Sequence, residues 1–219
     1  MKIAGFKKQT LIDFPGNISS VVFTQGCNFR CGYCHNPELV LPEKFQNTYD
    51  ENMVFTYLSK YKHLLDAVSI TGGEPTLQND LPEFISEIKK LGLKVKLDTN
   101  GSNYKMLEHL ISNKLIDFVA MDIKHLLDFD NYNRAVGFSI SISVFNNILK
   151  SIELIENSDI GYEFRTTVAK GLHTLNDIVS LKNRFGETYK VNNFNPEVVL
   201  NPNCNFTPFQ KNELTSIFQ

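Results

Sequence analysis

The 219-residue sequence has no apolar run approaching the roughly 20 residues that a membrane-spanning helix needs. Residues 1–14 carry lysines but lack the apolar block of a secretory signal. Positive charge is not in surplus: 22 basic residues face 24 acidic ones, a net charge of −2 with the signs interspersed. That balance excludes the basic stripe of a DNA-binding surface. Cysteine is scarce, at four residues, and three of them crowd into positions 27–34, which excludes a disulfide framework. Together these absences place the chain in the cytosol, where thiols stay reduced, with no membrane and no DNA partner.

What is present fits one domain. At this length folding hides about 70% of the extended chain's surface, so a core forms without a metal or disulfide staple. No repeat, low-complexity tract or linker interrupts the chain. Residues 1–219 therefore read as a single domain, with a core over about 17–196 and a C-terminal helix over about 208–218.

Apolar runs of strand length alternate with segments of helical spacing. The expected strands are 18–24, 67–71, 93–97, 117–123, 161–168 and 190–194. The expected helices are 51–64, 81–91, 104–112, 144–155, 175–185 and 208–218, the second opened by Asp80 and Pro82. Six strands, each followed by a helix, give an α/β fold of parallel βα units, a partial TIM barrel of (βα)6 type. An open doubly wound sheet has the same alternation, and pattern alone does not choose between them.

The densest chemistry lies in the irregular stretch after the first of these strands. Cys27, Cys31 and Cys34 are separated by three and two residues. Thiolates suit zinc and iron–sulfur clusters, and close spacing brings all three to one centre with little loop-closure entropy. A zinc site would take His35 as fourth ligand, but structural zinc usually draws on two ligand pairs and no second pair is present. An electron-transfer ferredoxin needs a fourth cysteine, also absent nearby. Cys204 is isolated and reads as a small buried apolar residue. A four-iron cubane held by three cysteines keeps one iron free of protein ligands, and an open position separates a reactive metal site from a structural one.

This Cys-x3-Cys-x2-Cys loop, with an aromatic before its last cysteine, resembles the signature of the radical S-adenosylmethionine superfamily. Asp13-Phe14-Pro15-Gly16, Phe23-Thr24-Gln25-Gly26-Cys27 and Tyr33-Cys34-His35-Asn36-Pro37 narrow the resemblance to the glycyl-radical-enzyme activases, and within them to the activator of anaerobic ribonucleoside-triphosphate reductase. The likeness runs from about Gly5 to about Pro196. It implies the radical SAM fold, a [4Fe-4S] cluster and S-adenosylmethionine as cofactors, a glycyl radical enzyme as protein substrate, and flavodoxin or ferredoxin as electron donor. Tyr33 would lie near the cofactor's adenine, and Asn36 matches the family's Cys-His-Asn.

Other strand ends extend the likeness. Gly72-Gly73-Glu74-Pro75 is an ordinary turn by itself; paired glycines also let a ligand approach the backbone, with Glu74 as acceptor for an ammonium group. Beside the cysteine loop it resembles the element that receives the cofactor's methionine amino group. Asp98-Thr99-Asn100-Gly101 resembles an activase element that helps hold the cofactor, in some members through a monovalent cation. Asn100-Gly101 alone is a common turn pair. Lys124 would neutralise a cofactor oxygen and Asp122 would orient that lysine or the cation; as an isolated pair they are a surface ion bridge. Arg165, inside a strand, requires a partner, either an internal carboxylate or one on the ligand, with the ligand slightly favoured. Asn195 stands where some activases have a histidine. His173 could compensate, though a lone loop histidine is usually solvated; His63 and His109 have weaker claims. All these strand ends share one rim of a parallel barrel, where active sites are built. Two further readings stay open: a radical enzyme acting on a small molecule, such as one forming a deazapurine ring, and a non-catalytic zinc or iron–sulfur module.

Overall fold

Short runs of β-branched and apolar residues produce a parallel sheet, and the computed structural model, which describes residues 1–217, shows how that sheet is wound. β1 (Ile3–Thr10) and β2 (Ser19–Thr24) pair antiparallel. From β2 onward each neighbour is parallel: β3 (Ala67–Gly72), β4 (Lys94–Thr99), β5 (Phe118–Asp122), β6 (Gly161–Val168) and β7 (Tyr189–Asn193). Strand order follows chain order from β1 to β7. A doubly wound sheet reverses its order at a switch point. No reversal occurs here, so the crossovers wind one way and the helices gather on one face, as in a barrel. β1 and β7 end the sheet without pairing to each other, so the barrel is partial.

The crossovers carry α1 (Pro37–Val40) and α2 (Glu51–Tyr61) after β2, then α3 (Leu81–Lys90) and α4 (Tyr104–Ser112) after the next two strands. After β5 come α5 (Phe129–Ala135) and α6 (Ile142–Glu156); α7 (Leu175–Phe185) and α8 (Lys211–Thr215) follow the last two strands. Local chemistry sets their limits. Thr174 and Asp177 cap α7 reciprocally, each side chain accepting the other's amide at 3.2 and 2.8 Å. In α6 a stripe of Phe145, Ile148, Ile152 and Ile155 is buried, the spacing of one helical face. Among the described residues no helix is long and apolar enough to cross a membrane.

Three elements escape the sequence pattern. Residues 1–14 carry no expected element, yet they supply β1, whose exposed Lys7, Lys8 and Gln9 hide its strand character. Charge on an edge strand is a common guard against edge-to-edge pairing. Both α1 and α5 are short, and α5 is rich in Asp and Asn, weak helix formers; the Asp128 carboxylate caps it through the Asn131 amide at 3.0 Å. The last helix is shorter than expected over 208–218. Its start is delayed because the Phe209 amide donates to Asn193 Oδ1 at 3.0 Å, tying that segment to β7. Phe218 lies outside the described residues. Asp80 does stand at the start of α3, but its carboxylate accepts from the Met1 amine rather than from the helix.

Alternation gives the sheet two unlike faces. One carries Val22, Val68, Ile70, Val95, Leu97, Val119, Met121 and Phe164, all with no exposed surface. It packs on Leu58, Ile85, Leu107, Ile148 and Ile178 from the helices. Each such side chain contributes about 1.5–3 kcal/mol by leaving water. The opposite face carries Ser69 and Thr71 of β3, Lys96 and Asp98 of β4, Asp122 of β5, and Glu163, Arg165 and Thr167 of β6; the register sets Ser69 beside Lys96 and Asp122 beside Arg165. Barrel interiors are commonly filled by branched apolar residues. This one is polar.

Candidate active site

The cysteine loop is held by backbone contacts from distant parts of the chain. The Arg30 guanidinium donates to the carbonyls of Cys27 and Phe29 at 2.6 and 2.8 Å. Arg30 N donates to Val136 O at 2.9 Å, and a Cβ at the following Gly137 (φ +81°) would collide with the Arg30 carbonyl. The segment after β7 folds over the same loop: Leu200 N donates to Cys34 O at 2.9 Å and Asn201 N to Gly32 O at 3.0 Å. Cys27, Cys31 and Cys34 are free thiols that line one cavity of about 170 Å³. Burial, reinforced by the Glu74 charge, pushes Cys27 up to about 12. Burial raises Cys31 and Cys34 too, while the Lys124 charge pulls both back. Thiols so placed ionise when a cation arrives, as metal ligands do.

The donor set fits an iron–sulfur cluster better than zinc. His35, the fourth ligand that a zinc site needs, lines the cavity too, but its Nε2 accepts from the Asn195 amide at 3.3 Å and its ring stacks on Phe194. Among the described residues no three His, Cys, Asp or Glu side chains gather closely enough to hold one ion. Cys204 does not line the cavity; it lies behind Gly32 and its thiol donates to Asn201 O at 2.8 Å. Three soft ligands on one cavity are what a cubane with an open iron takes.

Gly72 and Gly73 line the cavity, but their lack of Cβ serves the chain before any ligand. A Cβ on Gly72 (φ +117°) would strike the Thr24 backbone, and one on Gly73 the Gly26 carbonyl. The amides of Gly73 and Glu74 donate to Thr24 O and Gly26 O at 2.9 and 2.8 Å. The buried Glu74 carboxylate binds its own chain as well: Oε1 accepts from Thr76 and from Thr99 Oγ1 at 2.7 Å, and Oε2 accepts from Asn100 N at 2.7 Å. It thus ties the end of β4 to the turn after β3, while Oε2 keeps room for one more donor. Asn100, read above as a turn former, also reaches the cysteine loop, its amide donating to Asn28 Oδ1 at 3.0 Å.

An ionic path crosses the polar face. Lys96 donates to Asp98 Oδ1 at 2.6 Å, and Arg165 meets Asp98 Oδ2 and Asp122 Oδ1, each at 3.2 Å. Lys124 donates to Asp122 Oδ2 at 2.9 Å. Arg165 therefore finds internal carboxylates, not the ligand carboxylate slightly favoured from sequence; Glu163 at 3.9 Å is a third. Burial opposes its charge, but Asp98, Asp122 and Glu163 together raise its pKa further. Burial opposes the charge of Asp122 too, and Lys124 and Arg165 still hold its carboxyl below the usual range. Lys124 remains protonated although buried, chiefly through Asp122. Its ammonium keeps two N–H donors for the cavity it lines.

The remaining candidates separate. Tyr33, Asn36 and Thr99 line the cavity. The Tyr33 hydroxyl is buried without a full hydrogen bond and approaches the Cys31 sulfur. Asn195 stands off the cavity, where its side chain binds Glu197 at 3.2 Å. His63 and His109 are exposed elsewhere. His173 is buried rather than solvated: it stacks on His125 with ring centres 4.7 Å apart, and its Nε2 bonds Lys124 O at 3.0 Å. Sequence reading missed Phe29, Thr71 and Thr167 on the cavity and Lys96 and Glu163 beside it. The last two had a signal, charges two residues apart along apolar strands: Lys96 and Asp98, Glu163 and Arg165.

Comparison with known proteins agrees with this geometry. The radical SAM superfamily profile matches residues 21–180. A Methanocaldococcus jannaschii protein named for glycyl-radical enzyme activation is 34% identical over 98% of this chain and 89% of its own length. The pyruvate formate-lyase-activating enzyme of Clostridium pasteurianum is 35% identical over 70% of this chain and 64% of its own length. Among solved structures, Streptococcus suis SuiB bound to S-adenosylmethionine superposes with a TM-score of 0.63 at 19% identity, covering 90% of this chain and 47% of SuiB. The structure of anSMEcpe with bound AdoMet gives 0.58 at 17%, over 77% and 49%. The structural matches share the fold.

Proposed function

The chain belongs to the radical SAM superfamily and to its activase class, and from that membership we propose that it installs a glycyl radical on a partner enzyme. Anaerobic ribonucleoside-triphosphate reductase is the partner that the sequence motifs favour. The observation that carries the reading is one cavity shared by three free thiols and the polar ends of β3 to β6. When bound, a [4Fe-4S] cluster and S-adenosylmethionine supply one-electron cleavage of a carbon–sulfur bond, which yields methionine and a 5′-deoxyadenosyl radical.

Cys27, Cys31 and Cys34 would hold the cluster, with Tyr33 and Asn36 packed beside it. Lys124 would pair with the carboxylate of the cofactor's methionine part, while Asp122 holds that lysine charged and aimed. Oε2 of Glu74 is the acceptor left for the ammonium group. Asp98, Thr99, Gly72 and Gly73 shape the wall between them, and Arg165 fixes the two aspartates. These groups position charge before the cofactor arrives, so little reorganisation remains during the reaction. No side chain has to carry a proton. The protein's share is orientation and exclusion of water from a reactive species.

Flavodoxin or ferredoxin would deliver the electron, and the reaction would run in the cytosol, within a single domain. The test is anaerobic: load iron and sulfide, add dithionite and S-adenosylmethionine, and measure 5′-deoxyadenosine. A fully loaded protein that releases none refutes the radical reading. Co-expression with candidate glycyl radical enzymes, reductase and pyruvate formate-lyase among them, then separates partners by which one acquires the glycyl radical's electron-spin resonance doublet.

A further inference from the structure

Lys96 is a buried cation that the chemistry above leaves unused. Its side chain is 3% exposed in the middle of β4, and it does not line the cavity; Asp98, to which it donates at 2.6 Å, does. Arg165 takes the other oxygen of Asp98 at 3.2 Å. Asp122 is likewise occupied on both oxygens, by Arg165 and Lys124 at 3.2 and 2.9 Å. Along this path Lys96, Arg165 and Lys124 match Asp98, Asp122 and Glu163, three charges of each sign.

A monovalent metal ion is a hard cation that binds through oxygens, carboxylates first. At Asp98 it would have to enter beside an ammonium and a guanidinium that the chain itself holds in place, and their positive charge opposes it. The residues present therefore do not fit such an ion. An ammonium fixed by covalent bonds loses less entropy on pairing than a free ion captured from solution.

We infer that the Lys96 ammonium stands in for a monovalent cation, keeping Asp98 paired and oriented in the cofactor cavity, so that this protein needs neither sodium nor potassium. Lys96 is a positioning residue in this account, since it acts through Asp98. The inference rests on the proposed S-adenosylmethionine site only where cofactor affinity is the readout. Its stability arm uses the cluster-free chain and no cofactor, so it can succeed or fail independently.

The experiment exchanges choline chloride for sodium or potassium chloride at fixed ionic strength. For the unmodified protein the expected result is a melting temperature constant within about 1 °C and an S-adenosylmethionine affinity of the anaerobic, cluster-loaded form constant within about twofold. Lys96→Ala leaves space for a hydrated ion and removes one partner of a buried pair. In choline it should melt at least about 5 °C lower and bind the cofactor about tenfold more weakly. Sodium or potassium should restore much of both, which a purely structural lysine would not allow. Lys96→Arg should keep the indifference to salt identity. An affinity of the unmodified protein that rises by more than about twofold with sodium or potassium overturns the inference. So does a Lys96→Ala variant as indifferent to salt identity as its parent. If Lys96→Ala does not fold, the unmodified protein's salt titration decides alone.

Discussion

The two faces of β4, β5 and β6 are built from alternate residues of the same segments, yet they obey different rules. Leu97, Val119 and Phe164 on one face have no exposed surface and belong to the continuous apolar cluster. One residue away along the chain, Asp98 and Arg165 on the other face meet across the strands as ions. Apolar packing is non-directional, so the outer face accepts any residue of suitable shape. The inner face is directional: each carboxylate has named partners, and loss of one partner strands the other in a dry site. Stability should therefore follow the outer face, and function the inner one and its rim.

The sharpest separation is at the rim. Cys31→Ala should reduce 5′-deoxyadenosine formation below detection, because it removes one of the three proposed cluster ligands. The melting temperature of the metal-free chain should fall only slightly, since what the substitution strands is the approach of the Tyr33 hydroxyl to the sulfur. A variant that cleaves the cofactor at the parent rate would break the comparison at its centre. The opposite arm is Leu97→Ala, which empties a fully buried site on the outer face. It should cost about 2–5 kcal/mol, lowering the melting temperature by about 5 °C or more. Product formed per folded molecule, measured well below that transition, should stay close to the parent's. A large loss of turnover in the still-folded variant would show that the faces are not independent.

The sequence was most readable where one alternation had one cause. All six expected strands form, as β2 to β7, and their ends mark the rim; the cysteine spacing marks the candidate metal loop. β1 was hidden because its exposed lysines interrupt the apolar period that an edge strand has no need to keep. The direction of winding was not legible, since βα alternation is common to both topologies and strand order is a tertiary fact. Partners were not legible either. Nothing local in Arg165 says that Asp98, Asp122 and Glu163 surround it, because those contacts join residues on three strands. Lys96 could have been seen: a lysine two residues before an aspartate, within an apolar strand, places both on one face.

Burial of a single histidine makes the stability of the fold depend on pH. His173 is buried behind the rim and its pKa falls to about 4, mainly through burial, with the neighbouring His125 adding to the effect. The unfolded chain takes up this proton near the ordinary histidine value, about 6.5, whereas the folded chain does so only near 4. Between those values the unfolded state binds more protons, so stability rises with pH and is lost as pH falls from about 6.5 towards 4. The gap amounts to at most about 3 kcal/mol. Urea midpoints at pH 7 and pH 5 should differ in the parent, and His173→Gln should flatten that difference. An equal slope in both proteins would assign the pH dependence to other groups.

The smallest effect is expected at Cys204, and it tests how far the rim extends. This thiol is isolated in sequence but lies just behind Gly32, which sits between Cys31 and Cys34, so only its geometry keeps it off the cavity. Its hydrogen goes to the Asn201 carbonyl at 2.8 Å, within the segment that folds over the loop, and its side chain is off the cavity. Cys204→Ala removes one weak hydrogen bond to a carbonyl near the surface, which should cost under about 1 kcal/mol. Iron content after reconstitution should equal the parent's, and 5′-deoxyadenosine yield should stay within about twofold, a change of about 0.4 kcal/mol in barrier. A fall in iron per chain would instead mean that the loop admits a fourth thiol when metal is present. An open iron would then be lost, and with it the reason for assigning the cavity to a small ligand.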